Sequence, residues 1–411
     1  MTRLVVVLPL LALTLTSACS SDRSGVAHPA ARDSAGITIL AYAEPDSASD
    51  ERVQGVAGAP LFSIGGDSLP LYDVIGPYLQ ESGGIVLGSA GLQSVLFFDS
   101  AGNLRRRVGG RGDGPGEYSG LTRLSVGPGD SVLAYDSRQR RATVYSGSGE
   151  LVRTVSIAHP AGAMGLAYLA ALTDGRMIAA FQQRVPATAG LSRDSVSLWI
   201  LAPDGQGERA LATFPGLFVH WGPHRLPGFP EAATIPVPVP LSGLTAVAGH
   251  GDSTYVATAD RFTLTLLTPD GVRRITRRPV VTPRITDHHR ELLFAALGDH
   301  AGMNGPEGEL MKSLRGPENL PVFGTGPLAA RIGQSPMIVT DEGGVWLQPF
   351  AIGDSIDSAW QVYDSEGYYA GRIELPARFR PTAVRGDLVV GVYRDSLDVE
   401  FVRAYRLEAT R

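Results

Sequence analysis

The sequence predicts an all-β fold of six small sheets standing in a ring, closed by a strand from the N-terminal side. Three observations carry this expectation. Glycine and proline are frequent, 50 and 29 among 411 residues, and short apolar runs lie between them, so many tight turns join many short strands. Units of four strands then recur along the chain. Finally, the last unit lacks one strand while a spare strand stands ahead of the first.

The first unit reads Tyr72–Leu79, Ile85–Gly88, Val95–Phe98 and Leu104–Val108. The second reads Leu121–Val126, Val132–Tyr135, Ala142–Tyr145 and Leu151–Val155. Third and fourth units fall at Leu166–Thr213 and Leu244–Thr276, and a fifth at Pro336–Leu375. The sixth has Phe379–Val384, Leu388–Val392 and Val399–Leu407, and there the chain ends. Leu61–Gly65 supplies the missing strand, and such a closure removes two open sheet edges. Ile37–Leu40 reads as a further strand, placed on the outer edge of the closing unit. Hairpin tips carry Asp or Ser before Gly, at Asp99, Ser146, Asp204, Asp270 and Asp364. That chemistry supplies the positive-φ residue of a tight turn, so these acids are turn formers before they are metal ligands.

Two stretches interrupt the pattern. Phe214 to Ser242 is proline-rich and predicts a stiff, irregular loop. Val281 to Leu328 predicts a helical insertion. Thr282-Pro283 forms its start, Ile285, Leu292, Leu293, Ala296 and Leu297 its apolar face, and Gly298 its stop, with a shorter helix at Glu307–Leu314. An apolar helix face must be covered, so the insertion is expected over one end of the ring.

The strand-turn-strand passage around Gly109-Gly110-Arg111-Gly112-Asp113-Gly114-Pro115-Gly116-Glu117-Tyr118, continuing through Val132–Glu150, resembles the NHL-type six-bladed β-propellers. The C-terminal passage Trp360–Gly367, then Ile373-Glu374-Leu375-Pro376 and Leu388–Leu407, resembles the largely uncharacterised six-bladed propeller lipoproteins of bacteria. The resemblance spans residues 37–411. It implies the six-bladed propeller fold and a place in the bacterial cell envelope, and it brings no reaction with it.

Residues 1–18 have the grammar of an export signal. Arg3 gives a positive start, Leu4–Leu15 is apolar but short of the ~20 residues that span a bilayer, and Thr16-Ser17-Ala18 leads into Cys19. Cys19 is the one cysteine of the chain, so no internal disulfide exists. The passage resembles the signal of a bacterial lipoprotein, which implies cleavage before Cys19 and lipid on its thiol. Residues 19–36 read as a flexible tether. The membrane, reached through that lipid, is then one partner.

A net charge of −5 with no basic stripe argues against nucleic acid, because phosphate neutralisation needs clustered Lys and Arg. Arg105-Arg106-Arg107 reads as a solvated strand edge. No nucleophile turn, phosphate loop or zinc-binding helix motif occurs, and no cofactor or metal is expected. The candidate ligand- or partner-binding residues lie in the turn and the two interruptions. They are Arg111 and Asp113; His220, Trp221, His224 and Arg225; and His288 and His289. Gly222-Pro223 keeps the first histidine pair off a helix, and no third ligand stands near it. Adjacent histidines on a helix point about 100° apart, so the second pair does not chelate one ion unaided. The expected function is a non-enzymatic scaffold binding a protein, peptide or glycan on one face. A hydrolase or lyase is the alternative, and it requires these histidines and nearby acids to converge at a channel mouth. A purely structural envelope protein is the third, and it requires no concave polar pocket.

Overall fold

The structure is a computed structural model describing residues 29–43, 53–66, 69–184, 189–224, 233–280, 282–297, 313–314, 316, 318–322, 335–350 and 359–408. Among the described residues the strands form six sheets, one for each predicted unit. Blade one contains Val74–Leu79, Ile85–Ser89, Ser94–Phe98 and Leu104–Gly109, from the axis outwards. Blade two contains Leu121–Val126, Val132–Asp136, Arg141–Tyr145 and Leu151–Ser156. Blade three opens with Ala163–Ala171, Met177–Gln183, Gly190–Leu201 and Gly207–His224, and blade four has Thr245–His250, Ser253–Thr258, Thr263–Thr268 and Gly271–Arg277. Blade five has Met337–Val339, Val345–Leu347, Ala359–Tyr363 and Tyr369–Glu374. Blade six has Phe379–Arg385, Leu388–Arg394 and Glu400–Leu407, and its fourth strand is Val56–Gly65. Phe62 stands opposite Ala404, Ile64 opposite Val402 and Gly65 opposite Phe401, so the predicted closure is the observed one.

The two-residue period of the strands builds the core. In blade one, Ile85, Leu87, Leu96 and Phe98 face blade six, while Val86, Val95 and Phe97 face blade two. Both faces of a middle strand are therefore apolar, and Ile85–Ser89 and Ser94–Phe98 are buried throughout. Six such apolar layers, one at each blade junction, run around the ring. Outermost strands face water, and Leu104–Gly109 is mostly exposed. Arg105 and Arg106 on that strand pair with Asp99 and Glu150, which bears out the solvated-edge reading.

The tips are built as their chemistry implies. Asp99 Oδ1 accepts the backbone N–H groups of Ala101 and Asn103, and Asp364 Oδ1 those of Glu366 and Tyr368. Ser146 Oγ accepts the N–H of Glu150 at 3.0 Å.

Four expectations need correction. Ile37–Ala41 does not edge the closing blade; it runs parallel to Gly271–Arg277 on the outside of blade four. Its hairpin partner is Ala30–Ser34, a strand lying within the expected tether. A lone apolar strand carries no record of which edge it will cover. In its described residues the proline-rich stretch is mostly strand rather than irregular loop. Gly207–His224 is one long strand, and Ala233–Pro238 pairs with its far end. Pro236 and Pro238 stand two apart, so their missing N–H groups fall on the same side of an edge strand, and Val239 N still donates to Phe218 O at 2.9 Å.

The helix α1 spans Asp287–Leu297 and starts beyond Thr282-Pro283. Ile285 N donates to Glu318 O and Leu320 N to Pro283 O, so that stretch is extended pairing. Thr286 is the actual cap, its Oγ1 accepting His289 N at 3.3 Å. The insertion returns at Val322, whose N–H donates to Ala259 O at 2.7 Å beside the layer between blades four and five. Gly298 and most of Glu307–Leu314 lie outside the described residues, as do residues 1–28 with Cys19. The turn at Arg111 and Asp113 is pinned to blade two, as detailed next.

Candidate functional site

Each blade's innermost strand begins where the chain arrives from the previous blade, and the turn from second to third strand returns to that same end. One face of the ring therefore carries all the inter-blade connections. Both large excursions leave from it. The blade-three extension comprises Gly190–Ser195, Pro215–His224 and Ala233–Pro238, beyond the last pairing of Gln183 with Ser195. The helical insertion connects Arg277 of blade four to Met337 of blade five. Tyr72, Met164, Leu191 and Leu397 are large apolar side chains at least half exposed on the same face.

The sequence candidates belong to these connections, but the structure does not bring them together. The Asp113 carboxylate accepts from Gln139 Nε2 at 2.9 Å, and Arg141 donates to the carbonyls of Asp113, Gly114 and Glu117. This turn is thus pinned to blade two, and neither Arg111 nor Asp113 lines the axial channel. His220 and Trp221 sit on the blade-three extension, where Trp221 Nε1 donates to Ser192 Oγ at 3.0 Å and Arg184 lies 5.7 Å from the indole centroid. His220 and His224 lie on one strand, four residues and so about 13 Å apart, which is too far for one ion. The side chain of His224 and all of Arg225 lie outside the described residues. On α1, His289 Nδ1 accepts the N–H of Thr286 at 3.1 Å and so completes the helix cap, while exposed His288 lies 3.9 Å from Glu291. Among the described residues no three His, Cys, Asp or Glu side chains are grouped to hold a metal.

The concave feature is the axial channel, a cavity of about 370 Å³ bordered by the innermost strands of all six blades. Much of its wall is apolar, including Ile75, Leu124, Val126, Ala248, Val339 and Ala383. Among its polar lining residues, three come from three successive blades. Tyr78 follows a bulge in blade one, braced where Thr382 Oγ1 of blade six donates to Pro77 O at 2.6 Å. Arg123 comes from blade two, its Nε donating to Leu166 O of blade three at 2.9 Å. Tyr168 comes from blade three, and its hydroxyl lies over Gly249, where a Cβ would stand 2.6 Å away. Burial raises the pKa values of both tyrosines, the Tyr78 shift being opposed by the Arg123 charge, so both hydroxyls are donors at neutral pH. Burial lowers the Arg123 value, but a guanidinium stays charged. Arg380 also borders the channel, and at the opposite face Arg385 pairs with Asp341 at 3.5 Å.

Sequence reasoning missed these three residues. Each is a single polar residue on a different strand, separated by dozens of positions. The available signal was Arg123 itself, a charge within the apolar run Leu121–Val126 that opens the second unit.

The DUF5128 family, described as a 6-bladed beta-propeller, matches residues 83–163, from blade one to the start of blade three. No curated protein sequence matches. Among solved structures, one similar chain is a Bacteroides fragilis protein provisionally described as exported. It is 10% identical with a TM-score of 0.50, and the match covers 89% of this chain and 98% of that one. Another, a DUF4221 family member from Bacteroides vulgatus, is 8% identical with a TM-score of 0.47, covering 86% and 98%. A Xanthomonas campestris gluconolactonase is 12% identical with a TM-score of 0.40, covering 86% and 97%. Identities this low speak to fold alone. The fold and the family match agree: this chain is a six-bladed β-propeller.

Proposed function

We propose that the chain is an exported, lipid-anchored binding propeller of the bacterial envelope, which receives a protein, peptide or glycan on the face that carries its inter-blade connections. One observation carries this reading: the blade-three extension and the helical insertion both leave the rigid ring on that face, where exposed Tyr72, Met164, Leu191 and Leu397 also lie. Rigid scaffolds that position long loops are a recurrent basis for recognition. The concave axial channel favours a ligand-taking role over a purely structural one. Export and anchoring rest on the apolar Leu4–Leu15 run and on Cys19 after small residues, and the Bacteroides fragilis relative is in keeping with export.

Peptide and glycan arrays probed with the full chain test the binding role. The expected result is retention of specific spots. Retention should be lost when residues 286–316 are replaced by a short Gly/Ser linker, a change that spares the core residue Val322. Unchanged retention by that variant would overturn the proposed face. Palmitate labelling of cells tests the anchor, with label expected on the parent and absent from Cys19→Ala.

A further inference from the structure

We infer that the axial channel is itself a binding site, taking a small organic carboxylate whose acid group meets Arg123, Tyr78 and Tyr168 and whose apolar body lies along the channel wall. This goes beyond recognition on the outer face and does not depend on it.

The argument starts from Arg123. Its one hydrogen bond among the described residues goes from Nε to Leu166 O, and it pairs with no carboxylate there. The outer edge of a guanidinium, two N–H forks, remains directed at the cavity it lines. Arg123 is partly buried, and a cation in that setting without a counter-charge favours an arriving anion. Tyr78 and Tyr168 flank it from the neighbouring blades, and among the described residues neither hydroxyl has a hydrogen-bond partner. The carboxylates of the wall, Glu81 and Asp341, belong to loops at the opposite face, and Asp341 is already paired with Arg385. The charge of the cavity's middle is therefore positive.

The remaining wall selects the class of anion. Val126, Ala248 and Val339 offer hydrocarbon along part of that wall, beside polar Ser125, Gln182 and Thr245, so a fully hydrophilic ion would leave some of its oxygens against apolar surface. An acid with a hydrocarbon or aromatic body satisfies both parts. A cavity of about 370 Å³ is at the small end of ligand sites and fits a molecule of about ten to fifteen heavy atoms.

Calorimetric titration of the detergent-solubilised full chain tests the proposal, with phenylacetate, hexanoate, the neutral isostere phenylacetamide and inorganic phosphate as probes. The acids are expected to bind, with the amide at least about tenfold weaker, as befits loss of charge-assisted hydrogen bonds. Arg123→Gln should weaken acid binding by about tenfold or more, and Tyr168→Phe and Tyr78→Phe each by several-fold. The two phenylalanine variants remove only hydroxyls without a partner among the described residues, so they report even if Arg123→Gln fails to fold. Equal affinity for acid and amide, no effect of any of the three substitutions, no binding of either acid, or binding of phosphate alone would each overturn the assignment.

Discussion

The Glu400 carboxylate of blade six accepts the Val74 backbone N–H of blade one, with Oε2 2.9 Å from the nitrogen. Its other oxygen pairs with Arg394. Glu400 is buried, so the last blade is fastened to the first by a charge-assisted hydrogen bond shielded from water. Glu400→Ala would leave both Val74 N–H and the Arg394 guanidinium without this acceptor. A loss of about 3 kcal/mol is expected, with Glu400→Gln losing less. Urea denaturation followed by tryptophan fluorescence measures it.

Asp136 plays a comparable part at the junction of blades one and two. Its carboxylate accepts four backbone N–H groups, from Ser119, Gly120, Arg138 and Gln139. Burial alone would raise its pKa, but the four donors outweigh burial and hold it below the ordinary value of 3.8. The unfolded chain therefore binds the proton more readily. The stability Asp136 contributes is complete above that ordinary value and is lost as pH falls through the lower folded value. Asp136→Asn should cost about 2 kcal/mol near neutrality, because an amide cannot accept on both arms. The gap between parent and variant should narrow in acid, as measured by thermal unfolding across pH 2 to 7.

His159 acts in the same direction but over a higher pH window. Its Nε2 lies 2.9 Å from the Tyr135 hydroxyl, and its ring meets Phe181 edge-on at 5.0 Å. Burial, then the nearby Arg140 charge, lowers its pKa below 6.5. The folded protein thus resists protonation, and its stability falls as pH drops through 6.5 toward the folded value. His159→Gln should flatten the stability profile between pH 7 and 5. A profile unchanged by the substitution would show that the ring does not sense pH.

Two glycines separate backbone strain from crowding. Gly175 and Gly205 have nearly the same φ, +86 and +85, but a Cβ at Gly175 meets open space while one at Gly205 would stand 2.1 Å from Ser156 O. Gly175→Ala should cost about 1 kcal/mol and Gly205→Ala roughly 3 kcal/mol or more. Gly205 O also accepts Ala158 N at 3.0 Å, so the damage should spread into the junction of blades two and three, readable by amide exchange.

These joints explain what could be read ahead of the coordinates. The blades were legible because each middle strand is apolar on both faces and each tip announces itself through Asp or Ser before Gly, as at Asp99 and Asp364. The closing strand was legible by default, since Glu400–Leu407 had no later partner and Val56–Gly65 had no earlier one. The hairpin at Ala233–Pro238 was not, because proline frequency hides an alternation that suits a sheet edge. Nor was Ile37–Ala41, whose partner Gly271–Arg277 is chosen by the assembled ring rather than by local pattern. Arg123, Tyr78 and Tyr168 are adjacent only around the axis, and no linear spacing encodes that.

The N-terminal segment has one more consequence. Ile37–Ala41 lies along blade four, Val53–Gln54 along blade five and Val56–Gly65 within blade six, and the Tyr42 hydroxyl accepts Tyr369 N at 2.7 Å on the way. Each of these strands thus meets a partner that follows it by hundreds of residues. Until those partners have been made, the edges that will receive them stay open, and one short segment ends up stapling three consecutive blades together.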